Sequence, residues 1–468
     1  MKKETVRKIA RWSVPVLILA LVSIVLVPQI PDWKEEAQED AWTRIRERGQ
    51  LVALTDKNSI DYFIYRGEPM GYQLELLRSF ADYIGVSLRI ISSDDVSRLY
   101  RYLEHNAGDV IACNLPFSQD GKYMVHFTDP LGETRYVLLQ RKSQTRFISV
   151  FADFSGDTVW YRSNPFVEYI LRDFTREIHA NITLAGEYQR NPVELARLVS
   201  EGKIDYMICQ ENLALVLKRF YRNLDASLVL THFTNYSWGV RPASDTLRAK
   251  INEWLSDRKT RKEVRKIYLN YYDNPKILQY FGSDYFSVTG GRLSPFDEEI
   301  RRVSSLIWWD WRLIASLVYE ESNFRMGLVS SRNARGLMQL MPETAEKFGM
   351  DSLSGPGQQI AAGVKYLRWL DRQLPPEISN PRERICFILA SYNVGIGRVL
   401  SAREKAARYG QDPNRWNGNV DYYLTRKSRK DPLGKNDTVA DISPFGEAGG
   451  FVDEIMNRYY HYRNLIPR

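Results

Sequence analysis

Hydrophobic residues fall along this chain in two rhythms. In the first half, short apolar runs alternate with helix-spaced segments: Leu51-Val52-Ala53-Leu54 reads as a buried strand, Gly71 opens an amphipathic helix through Leu74 and Leu77 to about Tyr83, and residues 88–91 form the next strand. Gly108-Asp109-Val110-Ile111-Ala112 is a strand entered from a helix, and the phrase recurs over 202–208 after a helix at 192–200. That alternation is the pattern of an α/β domain. Beyond Pro295 strand patterns are nearly absent, and apolar positions recur at steps of three and four, which predicts helices over 295–307, 310–321, 342–348, 358–372 and 381–392.

The change of rhythm divides the chain. At 468 residues it is longer than one core normally serves. Between about 269 and 293 the text weakens into Tyr, Asn, Asp, Gly and Ser, ending in Thr289-Gly290-Gly291-Arg292-Leu293, which is linker composition. Ser294-Pro295 then offers an N-cap with proline at the first helical position. The expected division is a tail and apolar segment over 1–31, a spacer over 32–45, an α/β domain over 46–268, a linker over 269–293 and a mainly α domain over 294–468.

The amino terminus has its own pattern. Lys2, Lys3, Arg7, Lys8 and Arg11 precede about 20 uncharged residues, Trp12 to Pro31, enough to cross a bilayer. The charge asymmetry keeps the tail cytoplasmic and sends everything after Asp32 outside the inner membrane. A cleaved signal is the competing reading, but its apolar core would be shorter, and Val27-Pro28-Gln29-Ile30-Pro31 lacks a small-x-small cleavage site.

Composition narrows the chemistry. The net charge of +8 permits nucleic acid, an anionic membrane surface or an acidic polymer as partner, and no nucleic-acid motif supports the first. The basic cluster of Arg258, Lys259, Arg261, Lys262, Arg265 and Lys266 has helical spacing and reads as a solvated face. Cys113, Cys209 and Cys386 are scattered and odd in number, so they read as buried apolar residues. There is no HExxH and no GxxxxGK[ST] loop, so neither a metal nor a nucleotide cofactor is expected.

One carboxylate stands out. Ile314, Leu317, Val318, Glu321 and Phe324 fall on a single helical stripe, while Glu320 is rotated about 100° away. A carboxyl at the rim of an apolar face is partly desolvated, so its pKa should rise toward the range in which it can donate a proton at neutral pH. On this feature alone, a helix-end glutamate without a role remains the alternative.

The surrounding text supplies context. Glu321-Ser322-Asn323-Phe324, then Gly336-Leu337-Met338-Gln339 with Pro342 and Thr344-Ala345, then Ala390-Ser391-Tyr392-Asn393-Val394-Gly395, resemble in order the signature segments of the family-1 soluble-type lytic transglycosylases, which share a lysozyme-like fold. The resemblance implies that Glu321 is the catalytic acid/base, that Ser322, Met338 and Gln339 contact substrate, and that Tyr392 and Asn393 contact the sugar and the catalytic carboxylate. Residues 358–367 resemble a family helix with Gln359 where asparagine is usual, and Asn333 stands where glycine is usual. Asparagine is the non-glycine residue most at ease with positive φ, so the same turn can survive. Phe451 replaces a usual tyrosine, and 427–441 has the charge and Gly/Pro content of a loop.

The α/β half resembles the family-3 periplasmic solute-binding domains, whose two lobes close on an amino acid or similar small ligand. Phe127-Thr128-Asp129-Pro130 is similar to that family's crossing between lobes, and Trp238-Gly239-Val240-Arg241 to its return. The resemblance implies ligand contacts from Thr128 and from Lys122, which stands near the place of a common carboxylate-binding arginine. A lysine supplies charge but not the bidentate fork. A domain that has lost its ligand and serves as a spacer is the alternative.

Together the halves resemble the membrane-bound lytic murein transglycosylase F family. The resemblance implies a periplasmic lyase attached to the inner membrane or, as in some family members, the outer, that cuts the MurNAc-GlcNAc bond of peptidoglycan strands to give 1,6-anhydro ends, modulated by an amino-acid or muropeptide ligand. A goose-type lysozyme hydrolysing the same bond, and a catalytically silent glycan receptor, are the competing readings.

Overall fold

The computed structural model describes residues 40–117, 124–178, 181–425 and 447–468. The uncharged stretch 12–31, Lys122 and the expected loop 427–441 lie outside them. No helix among the described residues is long and apolar enough to cross a membrane.

The first half forms two α/β lobes. One sheet runs β4-β1-β5-β13-β6, built from β1 (Gln50–Asp56), β4 (Ser87–Ser93), β5 (Val110–Pro116), β6 (His126–Phe127) and β13 (Thr234–Val240), with β7 (Gly132–Thr134) on β13. The other runs β10-β9-β11-β8-β12, from β8 (Tyr136–Arg141), β9 (Ser155–Arg162), β10 (Asn181–Glu187), β11 (Tyr206–Gln210) and β12 (Leu224–Asp225). The apolar runs read as strands are these strands' centres: Leu51, Ala53 and Leu54 of β1 have no exposed surface. The chain crosses between lobes after β7 and returns on β13, as the two quoted phrases imply. On that return strand Trp238 is fully buried, donates its indole N–H to Gln73 Oε1 at 2.7 Å and stacks on Trp254.

Three expectations need correction here. The first lobe begins before residue 46: Asp40 caps the helix Ala41–Arg48, which buries Ala41 and Ile45. Residues 269–293 are a packed segment, not a free linker, because Tyr271, Tyr272, Ile277, Phe281 and Phe286 are buried in the core of the first half. The first helix beyond it is Asp297–Ser304 and starts two residues late. Asp297 accepts from the backbone N–H groups of Leu293 and Ser294, which folds the Ser294-Pro295 step into the preceding turn.

The second half is helical, with Trp311–Ser322 at its centre and Pro342–Lys347, Pro356–Gln373, Pro381–Val394 and Ile396–Arg408 around it. The last helix, Glu447–Leu465, packs along Trp311–Ser322 and also reaches β4 and a small hairpin of β2 (Phe63–Tyr65) and β3 (Glu68–Met70) in the first half.

Candidate active site

The helix Trp311–Ser322 is fixed at both ends. Asp310 caps its start by accepting from the Arg312 backbone N–H and pairing with the Arg312 guanidinium, which also donates to Ile466 O at 2.7 Å. In its middle, Ser316 Oγ donates to Ile455 O, tying it to the last helix. Ile314, Leu317 and Val318 are fully buried, so the next position on their stripe, Glu321, stands where the buried face meets the surface. The helix stops because Asn323 and Phe324 both adopt the left-handed conformation, with φ of 49° and 59°.

Burial, and then the negative charge of Glu320, pushes the Glu321 carboxyl up to about 8. Glu320 points away from it and accepts from Arg458 at 2.6 Å. At neutral pH Glu321 therefore holds a proton that it can give away.

The loop bound to the end of this helix through Ser322 is held by a glycine and one amide. Gly336 has φ of 78°, and a Cβ there would lie 2.4 Å from Gln359 Oε1. That amide oxygen accepts from the Leu337 backbone N–H at 2.9 Å, while the Gln359 amide donates to Ser354 O, so glutamine in place of the usual asparagine still holds the loop. Asn333 sits at φ of 67°, the conformation for which its substitution for glycine is suited. Gln339 donates to Leu328 O and Gly336 O.

The sequence-assigned residues meet in part. Tyr392 lies in the last turn of the helix Pro381–Val394 and donates to Met338 O at 2.6 Å; burial, and then the nearby Glu321 charge, raises its phenol pKa. Asn393 beside it is exposed. Ser322 and Met338 sit differently from the expected substrate contacts. Ser322 is 1% exposed, with its hydroxyl directed to Val318 O and Leu337 O, so it clamps the loop to the helix. Met338 is also 1% exposed and fills the space left by Gly363, where a Cβ would meet its sulfur at 2.2 Å. Sequence reading missed Tyr366, whose ring lies 5.3 Å from Tyr392, and the Arg458–Glu320 pair.

A second site lies between the two lobes. A cavity of about 110 Å³ is lined by Asp56, Asn58, Asp61, Asn114, Arg162 and Gln210, several of them at the carboxyl ends of β1, β9 and β11. Asn58 bridges the two carboxylates at 3.0 and 2.7 Å, and one oxygen of each is buried without a hydrogen-bond partner among the described residues. Burial, then the Asp56 charge, pushes Asp61 up to about 7. Thr128 is not in the lining: it is buried in the lobe crossing and uses its hydroxyl on Trp238 N and Asp129 O.

Comparison with known proteins bears on both halves. Residues 308–414 match the Transglycosylase SLT domain model, and residues 51–274 the bacterial extracellular solute-binding proteins, family 3. The membrane-bound lytic murein transglycosylase F of Pseudomonas fluorescens is 30% identical over 428 residues, covering 89% of this chain and 85% of the relative. The chain belongs to the membrane-bound lytic murein transglycosylase F family. The family member of Desulfosudis oleivorans is 29% identical over 456 residues, covering 97% of this chain and 98% of its own. Among solved structures, a mutant of the arginine-binding protein from T. maritima aligns with 50% of this chain and all of its own at 19% identity and a TM-score of 0.45. The transglycosylase domain and the solute-binding domain occur here in one chain.

Proposed function

We propose that this protein cleaves the β-1,4 bond between MurNAc and GlcNAc in peptidoglycan strands without water, with Glu321 as its single acid/base. The carrying observation is the Glu321 carboxyl at the end of the buried stripe, raised to about 8, beside a neighbouring carboxylate that is locked onto Arg458. Ordinary glycosidases require a second carboxylate as nucleophile or base, and Glu320 is in no position to serve. Glu321 gives its proton to the leaving glycosidic oxygen as the bond to C1 breaks, and the sugar's acetamido group supports the cation. The 6-hydroxyl then bonds to C1 and returns its proton to Glu321, closing the 1,6-anhydro ring. In this reading Tyr392, near enough to Glu321 to feel its charge, and the exposed Asn393 beside it contact the sugar.

Glu321→Gln keeps the shape and removes the transferable proton. Activity on purified sacculi should fall by about 10² to 10⁴, and a variant retaining wild-type rate would refute the assignment.

For the cleft between the lobes, the reading is a small amino-acid or muropeptide-like ligand that modulates cleavage. The two carboxylate oxygens without hydrogen-bond partners among the described residues support a ligand whose ammonium group binds there. Regulation requires that the ligand favour one arrangement of the chain over another. Calorimetry with wall-derived peptides and amino acids should give heat that Asp61→Asn abolishes; no heat from any of them would mark the domain as a spacer.

Membrane attachment through residues 12–31, with both halves in the periplasm, completes the proposal. Protease added from the periplasmic side should leave only the tail and anchor, and a soluble form starting near Pro31 would identify a cleaved signal.

A further inference from the structure

The hairpin of β2 and β3 belongs by sequence to the solute-binding half, yet it lies against the catalytic helix. Ile64 on β2 is fully buried in the hydrophobic core of the second half. At the hairpin tip Gly67 has φ of 83°, and a Cβ there would lie 2.6 Å from ring atoms of both Tyr319 and Phe324. Tyr462 on the last helix donates to Gly67 O at 2.7 Å, and Tyr319 donates its hydroxyl to Glu68 Oε2 at 2.7 Å.

These contacts close around Glu321 from both sides in sequence. Tyr319, two residues before it, is held by Glu68 and covered by the Arg458 guanidinium 4.4 Å from its ring. Glu320 is held by the same arginine. Phe324, three residues after it, packs edge-on against Tyr319 and under Gly67, in the second of two successive left-handed residues. Such backbone strain persists only where the surroundings over-determine it. Here the surroundings include the hairpin.

We infer that Glu68, acting through Tyr319, is a positioning residue for Glu321, so that the solute-binding half supplies an outer wall of the catalytic site. The inference rests on the reading of Glu321 as the acid. Its consequence is that loosening one hydrogen bond on the far side of the helix lowers the chemical rate without weakening glycan binding, because a carboxyl displaced by a fraction of an ångström no longer meets the glycosidic oxygen in line.

The test is a double-mutant cycle in the full chain on purified sacculi, assayed below every variant's melting transition. Glu68→Ala and Tyr319→Phe should each lower kcat by about tenfold with KM within about twofold of wild type. The double variant should fall no further than either single one, because both remove the same bond. Glu68→Gln should recover most of the rate, since its amide oxygen accepts the same hydroxyl. Unchanged kcat in both single variants, losses that add in the double, or a Glu68→Gln as slow as Glu68→Ala would overturn the inference. Glu321→Gln run alongside separates the two claims: if it is inactive while the hairpin variants are normal, only the positioning role fails. An active Glu321→Gln removes the acid assignment and the positioning role with it.

Discussion

Tyr62 and His461 meet across the two halves, with the phenol oxygen 2.8 Å from the imidazole Nδ1. Asn464, one turn further along the last helix, donates to both Tyr62 Oη and Ile90 O. Desolvation in this contact, and then the charges of Arg78 and Arg458, depress the imidazole from 6.5 to about 3.

The sign of the pH effect follows. His461 is neutral when folded and takes up a proton below 6.5 when unfolded, so its contribution is present above 6.5 and lost as pH falls toward 3. Asp61 and Glu321, whose folded pKa values are raised, push the other way, so the comparison must be with a variant. Between pH 7 and pH 5 wild type should lose about 2 kcal/mol relative to His461→Gln. Melting curves of the pair at both pH values measure this, and an unchanged gap would contradict it.

Glu321 gives the opposite dependence. Its folded pKa of about 8 exceeds the ordinary 4.5, so the stability it contributes is full below 4.5 and is lost as pH rises through 8. Glu321→Gln should therefore match wild type near pH 4 and exceed it by about 4 kcal/mol at pH 8. Catalysis titrates on the same group: kcat/KM should decline as pH rises through about 8, because the deprotonated carboxylate has no proton for the leaving oxygen. A profile flat to pH 9 would mean that another group donates.

Gln359 carries the loop to which Ser322 binds. Gln359→Ala leaves the buried Leu337 N–H and the Ser354 carbonyl without this partner, which should cost about 1–3 kcal/mol. The loop also holds the Met338 carbonyl to which Tyr392 binds, so activity should drop further than stability at a permissive temperature. Melting temperature and rate on sacculi, measured together, check both halves of this expectation.

Much of this was legible from local pattern. The spacing of Ile314, Leu317 and Val318 places Glu321 on their stripe, and the structure keeps it there because helical period is a local property. Asn333 in place of glycine was readable for the same reason, since φ belongs to one residue. The roles of Ser322 and Met338 were not, because a motif names residues without saying which side of the backbone is buried. Nor was the place of the last helix: Val452, Ile455, Met456 and Tyr462 form one apolar stripe, but helical period does not say that the helix packs against both halves. The Arg458–Glu320 and Tyr319–Glu68 contacts span 138 and 251 residues, and no periodicity reports pairing at that range. The aromatic content of 269–293 resembled linker text until its rings were seen buried together.

Cleavage of purified sacculi in water enriched in heavy oxygen, followed by mass spectrometry of the released muropeptides, tests the single-carboxylate mechanism most directly. Glu321 acting alone, with the sugar's own 6-hydroxyl as nucleophile, predicts 1,6-anhydro ends that carry no label, and their disappearance in Glu321→Gln. Labelled reducing ends from the wild-type protein would show that water attacks C1, and would contradict the mechanism even with Glu321 essential.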